Sequence, residues 1–291
     1  LERRYPVKAC GYLPRLPDCA LESRHLGLVT AQEVSDLKEK MQRLARAAEQ
    51  TLDFDALRVI AKSAPPLCFT PPELPKPGAS VRVGVARDKA FCFFYEDSLA
   101  LLRKLGAELV DFSPLEAETL PENLQGLYLP GGYPELYAEA LSQNEAMRES
   151  VRKAVTGGLP CIAECGGFMY LTEKIGGFPM AGALKGACFD TGKLTRFGYV
   201  TLTAQKDNLL CRAGEQIPAH EFHHWDAEHP GEDFRAEKPS GRSWPCTHAS
   251  RTLYAGFPHF HFYANPSFAV RFLDACRKES CHAGTNKAHG D

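Results

Sequence analysis

Between residues 81 and 175 the chain alternates short apolar runs with longer segments whose apolar residues recur every three or four positions. Val81 to Ala86 is a β-branched run that predicts a strand, and Ala107 to Phe112, Gly126 to Leu129 and Leu159 to Glu164 predict three more. Glu96 to Leu105 reads as a helix closed by Gly106. Glu135 to Val155 reads as a helix ending at Gly157-Gly158, and Gly167 to Ile175 as another. Strands alternating with helices predict an α/β fold with a mostly parallel sheet covered on both faces. In such sheets ligands sit beyond the carboxyl ends of the strands. Three aromatic-rich segments follow, Lys193 to Ala204, Ala219 to Ala227 and Thr252 to Tyr263, and a last helix is expected over Pro266 to Lys278.

The first 63 residues have a different pattern. Thr30-Ala31-Gln32-Glu33 reads as a capping box, with Val34, Leu37, Met41, Leu44 and Ala48 at helical spacing behind it. Asp53 is placed to cap a second helix through Leu57 and Ile60. Ala64 to Ser80 then carries six prolines, which fix φ and remove donors, so this stretch is expected to be an extended linker. The division read from the sequence is a small helical segment over 1–63, a linker over 64–80, an α/β domain over 81–279 and a tail over 280–291. A helical segment of that size is marginal alone and is expected to complete something that precedes it.

Composition narrows the function classes. The formal net charge is −2 and no Lys/Arg block stands out, which argues against a nucleic-acid or anionic-membrane role. No apolar run approaches the roughly 20 residues a membrane span needs. The N-terminus has no signal-peptide h-region and no initiator Met, so a piece of a longer protein is expected. Eleven cysteines, an odd number without CxxC pairs, suit buried thiols in a reducing compartment, with the cytoplasm as the default.

The richest stretch is Pro160-Cys161-Ile162-Ala163-Glu164-Cys165-Gly166-Gly167. A nucleophile elbow needs a strand, a sharp turn carrying the nucleophile, and a helix, with small residues two positions to either side. Ala163 and Gly167 fill those places around Cys165, and a helix N-terminus there would favour thiolate. The same pattern also suits a packed thiol beside a tight turn, and Cys161, inside the strand, reads as core. A nucleophilic cysteine needs a base. In Phe257-Pro258-His259-Phe260-His261-Phe262, a period of two puts His259 and His261 on one face, as a base and its neighbour, half a metal site, or hydrogen-bonded structure. Pro130-Gly131-Gly132 ends a strand with backbone N–H groups free to turn toward an oxyanion, though it is also a common turn.

Four stretches occur in the order seen in cobyrinic acid a,c-diamide synthases, and the chain resembles that family. They are Gly126-Leu-Tyr-Leu-Pro-Gly-Gly-Tyr-Pro-Glu-Leu, Ala163-Glu-Cys-Gly-Gly-Phe-Met-Tyr-Leu, His220-Glu-Phe-His and His259-Phe-His-Phe-Tyr-Ala-Asn-Pro. Ala90-Phe-Cys-Phe-Phe-Tyr is similar too, and Gly11-Tyr-Leu-Pro-Arg through Arg24-His-Leu-Gly-Leu-Val resembles the end of the family's ATP-dependent domain. The resemblance implies a flavodoxin-like class I glutamine amidotransferase domain. It implies Cys165 as the nucleophile forming a γ-glutamyl thioester, His259 as base, and backbone N–H groups at Gly132 and Gly166 as the oxyanion hole. Class I amidotransferases usually carry Glu two residues after the histidine; His261 stands there, as in the diamide synthases, so a Cys–His dyad is expected. Ala219 in place of Gly and Ser98 in place of Asn are mild departures. The implied partners are glutamine, cobyrinic acid (or hydrogenobyrinic acid or a nickel tetrapyrrole) and the missing ATP-dependent domain. ATP and Mg²⁺ are expected for the full-length enzyme and no cofactor for this chain, which has no G-x-x-x-x-G-K-[ST] loop.

A competing reading starts from His220-Glu221-Phe222-His223-His224, which fits the H-E-x-x-H zinc pattern. That pattern binds metal only on a helix, where positions i and i+4 share a face. Phe222, Trp225, Pro218 and Pro230 disfavour one, so no metal is expected.

Overall fold

A computed structural model describes residues 1–24, 27–29, 31 and 33–285. The chain divides into two compact units, Leu1–Glu73 and Leu74–Asp291. In the first, helix α1 spans Leu37–Thr51 and α2 spans Phe54–Ser63. The Asp53 carboxylate caps α2 by accepting from the Ala56 N–H at 2.9 Å. Helix α1 does not open at the expected capping box. Its N-cap is Asp36, whose side chain makes no capping bond, and Thr30 and Gln32 lie outside the described residues. Neither helix buries a residue.

In the second unit, strands β1 (Val81–Ala86), β2 (Ala107–Phe112), β3 (Gly126–Leu129) and β4 (Cys161–Glu164) fall where the apolar runs placed them. Helix α3 (Glu96–Lys104) joins β1 to β2, and Gly106, with φ at +105°, makes the left-handed turn between them. The expected long helix over Glu135–Val155 is instead a 3₁₀ turn and two helices, α4 (Ala138–Gln143) and α5 (Glu145–Thr156). Asn144 breaks it: its amide donates to the carbonyls of Pro114 and Ala117 at 3.0 and 2.8 Å while its oxygen caps Met147 N–H. Likewise α6 is only Gly166–Leu171. The Thr172 hydroxyl ties back to the Met169 carbonyl, and 174–175 turns into a hairpin at Gly176-Gly177.

After α6 the chain builds β5 (Arg196–Ala204), β6 (Gln216–His223), β7 (Phe234–Glu237), β8 (Ser243–Cys246), β9 (His248–Ala249), β10 (Leu253–Gly256) and β11 (His259–Phe260). Helix α7, Pro266–Thr285, follows. The main sheet runs β9-β10-β4-β3-β1-β2, parallel throughout except for β9. Its five parallel strands stand in chain order 2-1-3-4-5, the flavodoxin-like arrangement. The aromatic segments contribute to a second, antiparallel sheet, β8-β7-β5-β6-β11. Among the described residues no helix is long and apolar enough to cross a membrane.

Two apolar clusters flank the main sheet. One includes Val83, Ile162, Phe268 and Phe272, the other Leu129, Ala163, Phe168 and Tyr170. Helix α6 packs so closely on β3 that a Cβ at Gly167 would sit 2.0 Å from the Leu129 carbonyl oxygen. Both are backbone positions, so neither yields cheaply. Gly167→Ala is expected to cost about 1–3 kcal/mol, read as a lower urea midpoint.

Candidate active site

Cys165 sits at the carboxyl end of β4 with φ at +47° and ψ at −103°, a region that non-glycine residues enter only when their surroundings force them. The forcing is visible. The Cys165 N–H donates to the Gly256 carbonyl at 2.8 Å, and the Cys165 carbonyl accepts from Met169 N–H at 2.9 Å. The turn is therefore clamped between β10 and α6, presenting the thiol at the strand ends as an elbow does.

The loop after β3 meets this turn. A Cβ at Gly166 would lie 3.1 Å from the Gly132 nitrogen, and one at Gly131 would lie 2.5 Å from His259 Cε1. The two expected oxyanion donors, Gly132 and Gly166, thus lie side by side, with His259 against the neighbouring Gly131. Gly166 N–H already interacts with the Cys165 thiol.

His259 is 4% exposed. Phe93 packs edge-on at 4.8 Å between centroids and His220 stacks on its ring at 5.1 Å, the two histidines being register partners across β6 and β11. Its Nδ1 meets Glu164 Oε2 at 3.2 Å. Glu164 is the residue before the nucleophile and is itself 2% exposed. The expected dyad without a carboxylate is corrected here: an acid does reach the histidine, from the elbow strand rather than from two residues downstream. Among the described residues no hydrogen bond joins the Cys165 thiol to a His259 nitrogen; their connection runs through Glu164 and Gly131.

Electrostatics also revise one expectation. Burial, with the charge of Glu135 next, pushes the Cys165 thiol far above its usual range, despite the opposing pull of Gly166 N–H. The helix end therefore does not yield a resting thiolate, and the thiol needs a base. Burial, followed by the neighbouring His223, lowers His259 to about 3, so the imidazole is neutral and able to accept a proton. Burial also raises Glu164 well above the carboxylate range, with the Tyr128 hydroxyl acting against it.

His261 is not part of this cluster. Its Nε2 lies 2.9 Å from each Asp97 oxygen, and its Nδ1 accepts from Tyr263 N–H at 3.3 Å. Both nitrogens are engaged by Asp97 and Tyr263 rather than by Cys165, although the notional strand period would group His261 with His259 as a third catalytic residue. The period-two argument fails because the strand ends at Phe260 and a 3₁₀ turn begins at Phe262. Ser98, the departure from Asn, accepts the Phe262 N–H at 3.2 Å and helps to form that turn.

The His220–His223 stretch is strand β6, not a helix, and His224 lies beyond its end, so the H-E-x-x-H spacing lacks the helical turn that would bring the two histidines within reach of one ion. Among the described residues no group of three or more His, Cys, Asp or Glu side chains could hold a metal ion. His220 lies 3.4 Å from the Tyr95 hydroxyl, and burial, then the neighbouring His259, lowers it to about 4. Its folded value lies below the unfolded one of about 6.5, so its contribution to stability is present above about pH 6.5 and lost as the pH falls through about 4. His220→Asn is expected to lose less stability than the parent chain over that window, measured by urea midpoints at its two ends.

Residues 82–266 match the CobB/CobQ-like glutamine amidotransferase domain. The chain belongs to that family. A cobyrinate a,c-diamide synthase of Caldanaerobacter subterraneus is 36% identical over 95% of this chain and 63% of its own length. One from Listeria monocytogenes is 38% identical over 91% of this chain and 61% of its own. The chain thus spans less than two thirds of each of these relatives. PurLQS from Thermotoga maritima aligns at a TM-score of 0.49 and 17% identity, over 69% of this chain and 99% of that one. The amidotransferase match runs from the second residue of β1 to beyond β11 and includes the elbow.

Proposed function

We propose that this amidotransferase domain hydrolyses L-glutamine through a thioester on Cys165. The observation that carries the reading is the strained, clamped Cys165 turn beside a buried imidazole held by the Glu164 carboxylate. When glutamine binds, the Cys165 proton passes to His259 and Sγ attacks the side-chain amide carbon. The N–H groups of Gly132 and Gly166 donate hydrogen bonds to the developing oxyanion. The tetrahedral intermediate collapses, breaking the C–N bond, and His259 returns the proton to the departing ammonia. Water then attacks the γ-glutamyl thioester with His259 as base, releasing glutamate and restoring the thiol. Contacts made only with substrate in place bring Sγ and the imidazole into hydrogen-bonding reach.

Within a longer protein, which we place in the cytoplasm, the ammonia would be consumed in amidating the a and c carboxylates of cobyrinic acid, the reaction its relatives are named for. ATP and Mg²⁺ would drive that step. This chain has no phosphate loop, and none of its residues is assigned to ATP. The test is glutamate release from L-glutamine by this chain: release that requires Cys165 supports the reading, and release that survives Cys165→Ser refutes it.

A further inference from the structure

Behind the active-site histidine lies a small cavity, mostly apolar in its lining, that the mechanism does not use. Strand alternation on β6 turns Glu221 and His223 to the face opposite His220. Both are buried, at 2% and 4% exposure. They line a cavity of about 120 Å³ together with Arg196, Asp226, Trp244 and Phe257. The Trp244 indole N–H reaches Glu221 Oε1 at 3.4 Å, but Glu221 Oε2 has no partner and neither has His223 Nε2.

The tautomer is fixed. His223 Nδ1 lies 2.6 Å from the Trp225 carbonyl oxygen, which can only accept, so Nδ1 carries the proton. In the neutral ring Nε2 is then a lone pair, facing Glu221 Oε2 across 3.7 Å. Two buried acceptors at that spacing call for a donor between them, since leaving both unsatisfied is costly. A nitrogen at the apex of a triangle on that base lies at an ordinary distance, about 2.9 Å, from each. Glu221 and Asp226 set two carboxyl groups on the wall against one guanidinium, that of Arg196. A small monovalent cation bearing N–H donors answers all three features.

Phe257 stacks flat on His223 at 4.0 Å and meets Phe168 of α6 edge-on at 5.1 Å, and the Glu221 charge is felt at both Cys165 and His259. We infer that the space beside Glu221 and His223 binds ammonium, formed when the ammonia released at Cys165 takes up a proton from water. The inference rests on the glutaminase reading for its source of ammonia, but the site itself is tested separately.

The test follows the His223 imidazole ¹⁵N signals of the labelled chain during titration with NH₄Cl, against KCl and NaCl at matched ionic strength. A saturable shift specific to NH₄Cl is expected, with the half-saturating concentration raised about tenfold or more in Glu221→Gln. Should that variant fail to fold, Glu221→Asp, which keeps the charge but withdraws the carboxylate by one methylene, is expected to show the same direction of loss. No saturable shift, an equal shift with potassium, or unchanged affinity in the Glu221 variant overturns the inference. The same samples are treated with the glutamine-like electrophile 6-diazo-5-oxo-L-norleucine. Cys165 labelled without ammonium binding overturns the inference alone. Ammonium binding without labelling supports the site and counts against the glutaminase reading instead.

Discussion

Replacing Cys165 with serine lowers glutamate release by at least about a thousandfold, while the fold survives. The substitution exchanges one small buried atom for another, so packing around α6 changes little. The clamp on the turn also remains, because its bonds are made by backbone atoms: Cys165 N–H to Gly256 and the Cys165 carbonyl to Met169. What is lost is the nucleophile. A serine hydroxyl is a far weaker acid than even this buried thiol, and His259, lowered to about 3, is a weak base unless Glu164 stabilises its cation. Steady-state glutamate release and urea unfolding on the same preparations check both halves. A midpoint near the parent value with activity at background is the expected pair.

The second large effect is at Glu164. Glu164→Gln is expected to lower kcat about a hundredfold or more while KM changes little, since the amide can still touch Nδ1 but, unlike a carboxyl group, cannot give up a proton to balance the imidazolium formed at His259. Stability should move the other way or not at all. Burial already disfavours the Glu164 carboxylate, so removing an ionisable group from a 2% exposed position relieves a desolvation cost. That opposition separates a positioning residue from a structural one: a merely structural Glu164 would lose stability and activity together. Glu164→Asp, which keeps the charge at shorter reach, is expected to recover part of kcat. An unchanged kcat in Glu164→Gln would show that the carboxylate takes no part.

Much of the framework was legible in the sequence because its signals are local. Strands β1 to β4 are apolar runs bounded by turn residues, and Gly106, Asp53 and the Ala163–Gly167 spacing announce their turns directly. The flavodoxin-like order came through resemblance, and the strand pairing now accounts for it. Less local features were hidden. Asn144 breaks a helix because it reaches carbonyls roughly thirty residues back, which no helical periodicity encodes. The antiparallel second sheet depends on pairings such as His220 with His259.

The candidate site divides in the same way. Cys165, Gly132, Gly166 and His259 belong to contiguous motifs, and the structure brings them to the strand ends. A period of two groups His261 with His259, but the strand is only two residues long and ends at Phe260, so the side chains of His259 and His261 meet different partners. Glu164 went unassigned although its signal was present: an acid inside the otherwise apolar run Cys161-Ile162-Ala163 has to find a partner once buried. The partner lies 95 residues away, so the sequence could say that one was needed and not which.

The most direct measurement of the central claim is the intact mass and peptide map of the chain after exposure to 6-diazo-5-oxo-L-norleucine, with and without excess L-glutamine. The account predicts a single adduct, carried on the peptide containing Cys165 and suppressed by glutamine. An adduct on Cys161 or another cysteine, or glutamate release from a chain whose Cys165 stays unmodified, would contradict it.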